Sequence, residues 1–281
     1  MIVVFGATGN VGRHVVAGLV EAEARVRVFV RDPEKARFDP SVQVVKGDLD
    51  NAASIESALS GADGVFLLTA GPDALAHDLA VAGEIRRAGD LHLVKVSSVA
   101  ANPPVLNSYG KAHAEAEFAC RLGAPRWTML RPAAFSSNTL QWSWTINSEG
   151  KVYQPFGKIP QAVVTPADVA AVAVRALLEP AKHAGHIYQV TGPAALTAQE
   201  RAAILAAELG RPIEFVDAPP EVAKKAMVGM GLPEEYVSGM LAAQSDPEPT
   251  RGGIPLSTVR DVTGREPTSF VDWLRPHLAE F

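Results

Sequence analysis

Four consecutive apolar residues, Ile2 to Phe5, stop at Gly6, and the apolar positions that follow, Val11, Val15, Val16, Leu19 and Val20, recur at helical spacing. An uninterrupted apolar run suits a strand covered on both faces, and the change of period marks a strand feeding a helix. The alternation then repeats. Short, mostly β-branched runs at 26–30, 42–45, 65–68, 91–96 and 127–130 predict strands, and the stretches near 51–60, 73–88 and 108–122 predict the helices between them. Because parallel strands need a crossover, this order predicts a parallel sheet with helices on both faces.

The pattern lapses from Pro132 to Gly157, where Phe135, Trp142, Trp144, Tyr153 and Phe156 are scattered among Ser, Asn, Gly and Pro. An irregular crossover over the carboxyl edge of the sheet is expected there. Regularity resumes at Thr165, which can cap a helix with Pro166 in its first position and Asp168 completing a reciprocal cap. That helix runs through Leu178 and leads to a strand at Ile187 to Val190. Thr197 and Glu200 spell a second capping box for a helix to Leu209, closed by Gly210 and Pro212. A strand at 213–216, helical turns over 219–243 broken by Gly229 and Gly231, a polar loop from Ser245 to Gly253, and a last helix opened by Ser269 and Asp272 complete the reading.

Composition removes several classes. A chain of 281 residues, 47% hydrophobic, is long enough to bury its own core without staples. The single cysteine, Cys120, excludes an intrachain disulfide, and no C-x-x-C pair exists for zinc. A formal net charge of -5 argues against a nucleic-acid-coating protein. No long uncharged apolar run spans a membrane, and residues 1–5 do not read as a secretory signal, so a cytoplasmic location is expected. His77, His92, His183, His186 and His277 are dispersed, so no metal site is expected, and no G-x-S-x-G elbow suggests a hydrolase.

The strongest local motif is Gly6-Ala7-Thr8-Gly9-Asn10-Val11-Gly12, set between the first strand and its helix. There Gly6 can make a tight turn, Gly9 can let main chain approach a diphosphate, and Gly12 can let the helix sit close to the sheet, with backbone N–H groups facing the anion. This makes the sheet a doubly wound, Rossmann-like α/β fold. Arg31 follows the second strand, where a dinucleotide fold meets the adenosine ribose. A cation there can pair with a 2′-phosphate, although Asp32 follows at once. With Thr8, Arg13 and Lys35 as further polar candidates, NADP(H) is the expected cofactor and NAD(H) the alternative. Asp48 reads equally as a partner of the adenine or as a cap for residues 50–60. Gly71, in Thr69-Ala70-Gly71-Pro72 after the fourth strand, serves either a close approach or only a turn.

The expected domain plan is a dinucleotide-binding domain at 1–134 and a crossover lining the substrate cleft at 135–163. Residues 164–190 return to the first domain, and a smaller, mainly helical substrate lobe covers 191–281. Tyr109 and His113, four apart, share a helix face that can look into the cleft. A phenol can donate a proton to a reduced oxygen, and an imidazole is better tuned near neutral pH. Structural packing competes with both roles. Phe135, Asn138, Trp142, Trp144 and Phe156 read either as a flat pocket for planar, apolar substrates or as a small satellite core. Met227, Met230 and Met240 read as helix packing, with a pocket wall the alternative.

The glycine motif, Val30-Arg31-Asp32-Pro33-Glu34-Lys35, Lys46-Gly47-Asp48, His113-Ala114-Glu115-Ala116-Glu117 and Thr128-Met129-Leu130-Arg131-Pro132 together resemble the NmrA-like branch of the atypical short-chain dehydrogenases. Within it the likeness runs toward the NAD(P)H:quinone oxidoreductase and triphenylmethane reductase types. The resemblance implies that Gly6, Thr8, Gly9, Asn10, Val11 and Gly12 hold the diphosphate, Arg31 and Lys35 the 2′-phosphate, Asp48 the adenine side, and Thr69, Ala70 and Gly71 the ribose side. Residues 133–138 would approach nicotinamide and substrate. It also implies direct hydride transfer to a quinone or similar conjugated planar acceptor, for which the shared helix face described above offers Tyr109 or His113 as the proton donor. Orthodox short-chain dehydrogenases carry a lysine four residues after the tyrosine, where this chain has His113. The competing reading is a non-enzymatic, NAD(P)-binding redox sensor of the same family acting through a protein partner. A homodimer is the other association considered.

Overall fold

The computed structural model describes residues 1–105, 107–246 and 252–281. The first half runs β1 (Ile2–Phe5), α1 (Gly12–Glu21), β2 (Val26–Val30), β3 (Gln43–Lys46), α2 (Ala52–Leu59), β4 (Gly64–Leu67), α3 (Ala74–Ala88), β5 (His92–Val96), α4 (Ser108–Gly123) and β6 (Arg126–Pro132). Then follow α5 (Ser143–Glu149), β7 (Lys151–Gln154), α6 (Pro166–Leu178), α7 (Pro180–His183) and β8 (Ile187–Val190). The last part holds α8 (Ala198–Leu209), β9 (Glu214–Asp217), α9 (Pro220–Gly229), α10 (Glu234–Gln244), α11 (Thr258–Thr263) and α12 (Phe270–Leu274).

Seven strands form one sheet in the order β3-β2-β1-β4-β5-β6-β8, and every pairing is parallel. The order reverses at β1, so the carboxyl ends of β1 and β4 flank the switch point where doubly wound sheets bind ligands. Alternate residues of the five central strands, β2, β1, β4, β5 and β6, feed two cores. Val4, Val28, Phe66, Val94 and Leu130 pack against α1, α6 and Val259 of α11, while Val3, Phe5, Leu67, Leu93 and Met129 pack against α2, α3 and α4. The buried strands of the sequence pattern are thus buried on both faces for this reason.

The segment expected to be irregular is partly regular. Residues 136–142 form a 3-10 turn, α5 follows, and β7 pairs in parallel with β9 to make a separate two-stranded sheet. The partner of β7 lies about sixty residues downstream, so a local hydrophobic period could not reveal it. A third core gathers beneath this small sheet, with Trp142, Ile146, Val152, Leu205, Phe270 and Trp273. The Thr197–Glu200 capping box forms as expected. The reciprocal cap at Thr165 does not. Thr165 Oγ accepts from the Asp168 amide at 3.0 Å, but the Asp168 carboxylate accepts from Thr268 N at 2.9 Å and Thr268 Oγ at 3.1 Å, as well as from Thr165 Oγ. Positions 247–251 of the expected polar loop lie outside the described residues. Among the described residues no helix is long and apolar enough to cross a membrane.

Candidate functional site

The glycine loop joins β1 to α1 at the switch point. Gly6 has φ +78°, and a Cβ added there would lie 2.4 Å from the Leu68 carbonyl oxygen. A Cβ on Gly12 would lie 2.0 Å from the Gly6 carbonyl oxygen, so helix and turn approach each other as only glycine permits. No side chain caps α1, and among the described residues the amides of Asn10, Val11 and Gly12 find no backbone acceptor. Thr8, Gly9 and Asn10 are exposed, whereas Val11 is buried in the core. Unpaired amides at an uncapped helix start, with room for close approach, fit a diphosphate.

Arg31 is exposed just beyond β2 and, among the described residues, forms no ion pair. Lys35, also exposed, forms a surface pair. Its ammonium lies 3.0 Å from the Asp32 carboxylate on the surface. Asp48 is exposed and its carboxylate accepts from the Asp50 amide at 3.1 Å, while the N-cap of the helix after it is Asn51, whose side chain accepts from Ser54 N. Gly71 has φ +91°, a turn conformation, with no protein atom near the position of a missing Cβ, so its face is open.

Two cavities open along the carboxyl ends of β4, β5 and β6. The larger, about 430 Å³, is lined by Leu68 to Pro72, Asp78, Ser97, Tyr109, His113, Phe135, Pro233 and Tyr236 among others. The smaller, about 190 Å³, is lined by Ser97 to Ala100, Asn107, Tyr109, Ala133 to Phe135, Asn138, Gln161, Met240 and Gln244 among others. Ser97, Tyr109 and Phe135 belong to both. The Ser97 hydroxyl is buried there without a hydrogen-bond partner. Met240 therefore serves as a wall, while Met230 is an exposed surface residue.

Tyr109 and His113 do share a face of α4, with ring centroids 4.7 Å apart in an edge-on arrangement. Tyr236 of α10 approaches Tyr109 from the other side at 6.1 Å. Burial and the neighbouring Tyr236 push the Tyr109 phenol up to about 12, against a hydrogen bond with Ser98 that lowers it. Burial, with the positive charge of Lys95, holds His113 down at about 4. This corrects the expectation that the imidazole is tuned near neutrality: it is an uncharged group at physiological pH.

The aromatic wall is smaller than the sequence suggests. Phe135 and Asn138 line the cavities, but Trp142, Trp144 and Phe156 line neither. Trp142 is buried in the third core, hydrogen-bonded through Nε1 to Gln154 at 3.3 Å and stacked by Arg201 at 5.4 Å. Trp144, two positions on at the start of a helix, points the opposite way and is 72% exposed. Phe156 takes a left-handed backbone turn, φ 59°, beyond β7.

Two buried ion pairs under the cleft were not anticipated. Lys95 of β5 meets Asp78 of α3 at 3.0 Å, and Arg131 of β6 meets Glu117 of α4 through two bonds of 2.8 and 2.7 Å. A lysine inside the apolar run Leu93 to Val96 was the available signal, since a charge in a buried strand requires a partner. Among the described residues, no cluster of His, Cys, Asp and Glu is arranged to hold a metal ion.

The NmrA-like family profile matches residues 1–266. The chain belongs to the NmrA-like family. It is 38% identical over its whole length to a (4-alkanoyl-5-oxo-2,5-dihydrofuran-3-yl)methyl phosphate reductase of Streptomyces griseus, covering 99% of that protein. It is 36% identical, again over its whole length and 99% of the relative, to an NAD(P)H azoreductase of Xenophilus azovorans. Among solved structures, the NADPH complex of an NADPH-dependent quinone oxidoreductase from Escherichia coli superposes with a TM-score of 0.85 at 26% identity, over 99% of this chain and all of that one.

Proposed function

We propose that this NmrA-like protein is an NAD(P)H-dependent oxidoreductase that passes hydride directly to a planar conjugated acceptor such as a quinone. The observation that carries the reading is the seam of Ser97, Tyr109 and Phe135 shared by two cavities, a short step along the sheet edge from the uncapped amides of the glycine loop. Full-length similarity to proteins named as reductases of a butenolide phosphate and of azo compounds supports the oxidoreductase class.

A reduced dinucleotide supplies the hydride when bound. The amides of Asn10, Val11 and Gly12 take its diphosphate, Arg31 its 2′-phosphate, and Thr69 to Gly71 its ribose side. Phe135 offers a flat apolar face to the acceptor ring. Tyr109, kept protonated by burial, donates a hydrogen bond to the acceptor oxygen. An uncharged His113 packs on its edge and leaves the pocket apolar.

The test is dinucleotide oxidation against quinones, aryl carbonyls, conjugated lactones and dyes. Turnover with at least one planar conjugated acceptor is expected, with kcat reduced about 10- to 100-fold in Tyr109→Phe. Neither Tyr109 nor His113 titrates between about 4 and 12, so kcat is expected to stay level from pH 5.5 to 8.5. Cofactor binding with no turnover on any acceptor would replace this reading with that of a dinucleotide sensor.

A further inference from the structure

The Lys95–Asp78 pair lies against the wall of the larger cavity. Both side chains are almost wholly buried, 1% and 3% exposed. Taking two charges out of water commonly costs as much as their attraction returns, so the pair is a poor staple for the fold. Its third member is more informative. Thr69, two residues beyond β4, donates its hydroxyl proton to Asp78 Oδ1 at 2.7 Å and accepts from Lys95 Nζ at 3.4 Å. Thr69 and Asp78 both line the cavity.

A hydroxyl has one proton and two lone pairs. The Thr69 proton is committed to a carboxylate and one lone pair to an ammonium, which leaves one lone pair and no donor. Bonding to the carboxylate also makes the oxygen a stronger acceptor. Thr69 can therefore receive a hydroxyl of a ligand but offers nothing to a phosphate or carbonyl oxygen. Its position narrows the ligand. The carbonyl oxygen of the preceding residue, Leu68, lies 2.4 Å from where a Cβ on Gly6 of the diphosphate loop would sit, so the end of β4 runs directly beside that loop. A dinucleotide has a sugar on each side of its diphosphate, and because β4 lies on the opposite side of β1 from β2 and Arg31, the sugar that reaches Thr69 is the one away from the adenosine end.

We propose that Asp78 and Lys95 are positioning residues that fix Thr69 Oγ as the acceptor for a ribose hydroxyl on the nicotinamide side of the dinucleotide. The proposal rests on the cofactor reading above and adds the residues that set the polarity of this contact.

The experiment compares affinity for the reduced dinucleotide and for an analogue lacking that ribose hydroxyl, by fluorescence titration without acceptor. Wild type is expected to favour the parent compound by about 10-fold, the worth of one hydrogen bond to a polarised acceptor. Thr69→Val and the charge-balanced double variant Asp78→Leu with Lys95→Met are expected to bind both compounds at the analogue's level. Thr69→Ser keeps the discrimination. So does Glu117→Leu with Arg131→Met, which removes the other buried pair without touching Thr69. If the Asp78 and Lys95 double variant does not fold, the isosteric Asp78→Asn supplies the same reading and is expected to reduce discrimination at least threefold. Retained discrimination in a folded Asp78 variant, or equal affinity of wild type for both compounds, overturns the proposal. Wild type that binds neither compound overturns the cofactor reading itself, and is distinguished by that result.

Discussion

At the scale of single residues, the same side chain changes character with its surroundings. Spacing along α4 was enough to place Tyr109 and His113 on one face, because helix geometry is local. It could not supply their protonation. The charge of Lys95 acts on His113 from strand β5, and Tyr236 approaches Tyr109 from a helix more than a hundred residues on. Arg31 shows the converse. Its place beyond β2 was legible, and the structure adds that Lys35 lies 3.0 Å from Asp32 on the surface, which leaves Arg31 as the cation we propose for the 2′-phosphate. Arg31→Ala is accordingly expected to weaken NADPH binding about 10-fold or more while changing NADH binding less than twofold, as a charge-assisted contact would. Parallel titrations of the two cofactors check this, and an equal loss for both would remove Arg31 from that role.

At the scale of elements, two helix starts with the same kind of spelling behave differently. Thr197 and Glu200 satisfy each other within four residues, and the box forms as read. Asp168 instead spends its carboxylate on the backbone and hydroxyl of Thr268, a hundred residues away, and so ties the segment before α12 to the first turn of α6. Local motif logic cannot see such a competitor. Asp168→Asn leaves the helix start in place but turns one acceptor oxygen into a donor facing donors. A loss of about 2 kcal/mol in unfolding free energy is expected, with kcat unchanged because the residue lines neither cavity. Denaturant unfolding monitored together with activity separates these, and a variant of full stability would show that the Thr268 contacts carry no net energy.

At the scale of the whole molecule, the sheet places a second histidine in an unusual state. His92 opens β5, buried, with Nε2 3.0 Å from Thr128 Oγ. Because Thr128 gives its own proton to the His183 carbonyl at 2.8 Å, it can only accept from His92, which leaves Nδ1 unpartnered. Burial first, then Arg126 and His183, hold His92 near 4, as burial holds His113. In the unfolded chain both imidazoles bind protons below about 6.5. Between that value and about 4 the unfolded state therefore carries more protons than the native state, and stability falls as pH falls. Thermal midpoints should hold above pH 7 and drop steadily from 6.5 toward 4.5, with part of the slope removed in His92→Gln. A midpoint constant from pH 7 to 5 would contradict this account.

The chain alone determined what depends on near neighbours: the strand-to-helix alternation, the glycine loop, most caps, and the helix face that carries Tyr109 and His113. Those features follow from periodicity and from backbone conformations that few residues can adopt. Tertiary packing decided the rest. It paired β7 with β9, buried Trp142 and turned Trp144 outward, joined Lys95 to Asp78 and Thr69, and drove His113 out of its ordinary range. Each of these depends on which distant groups share a low-dielectric interior, and no window along a sequence contains that information.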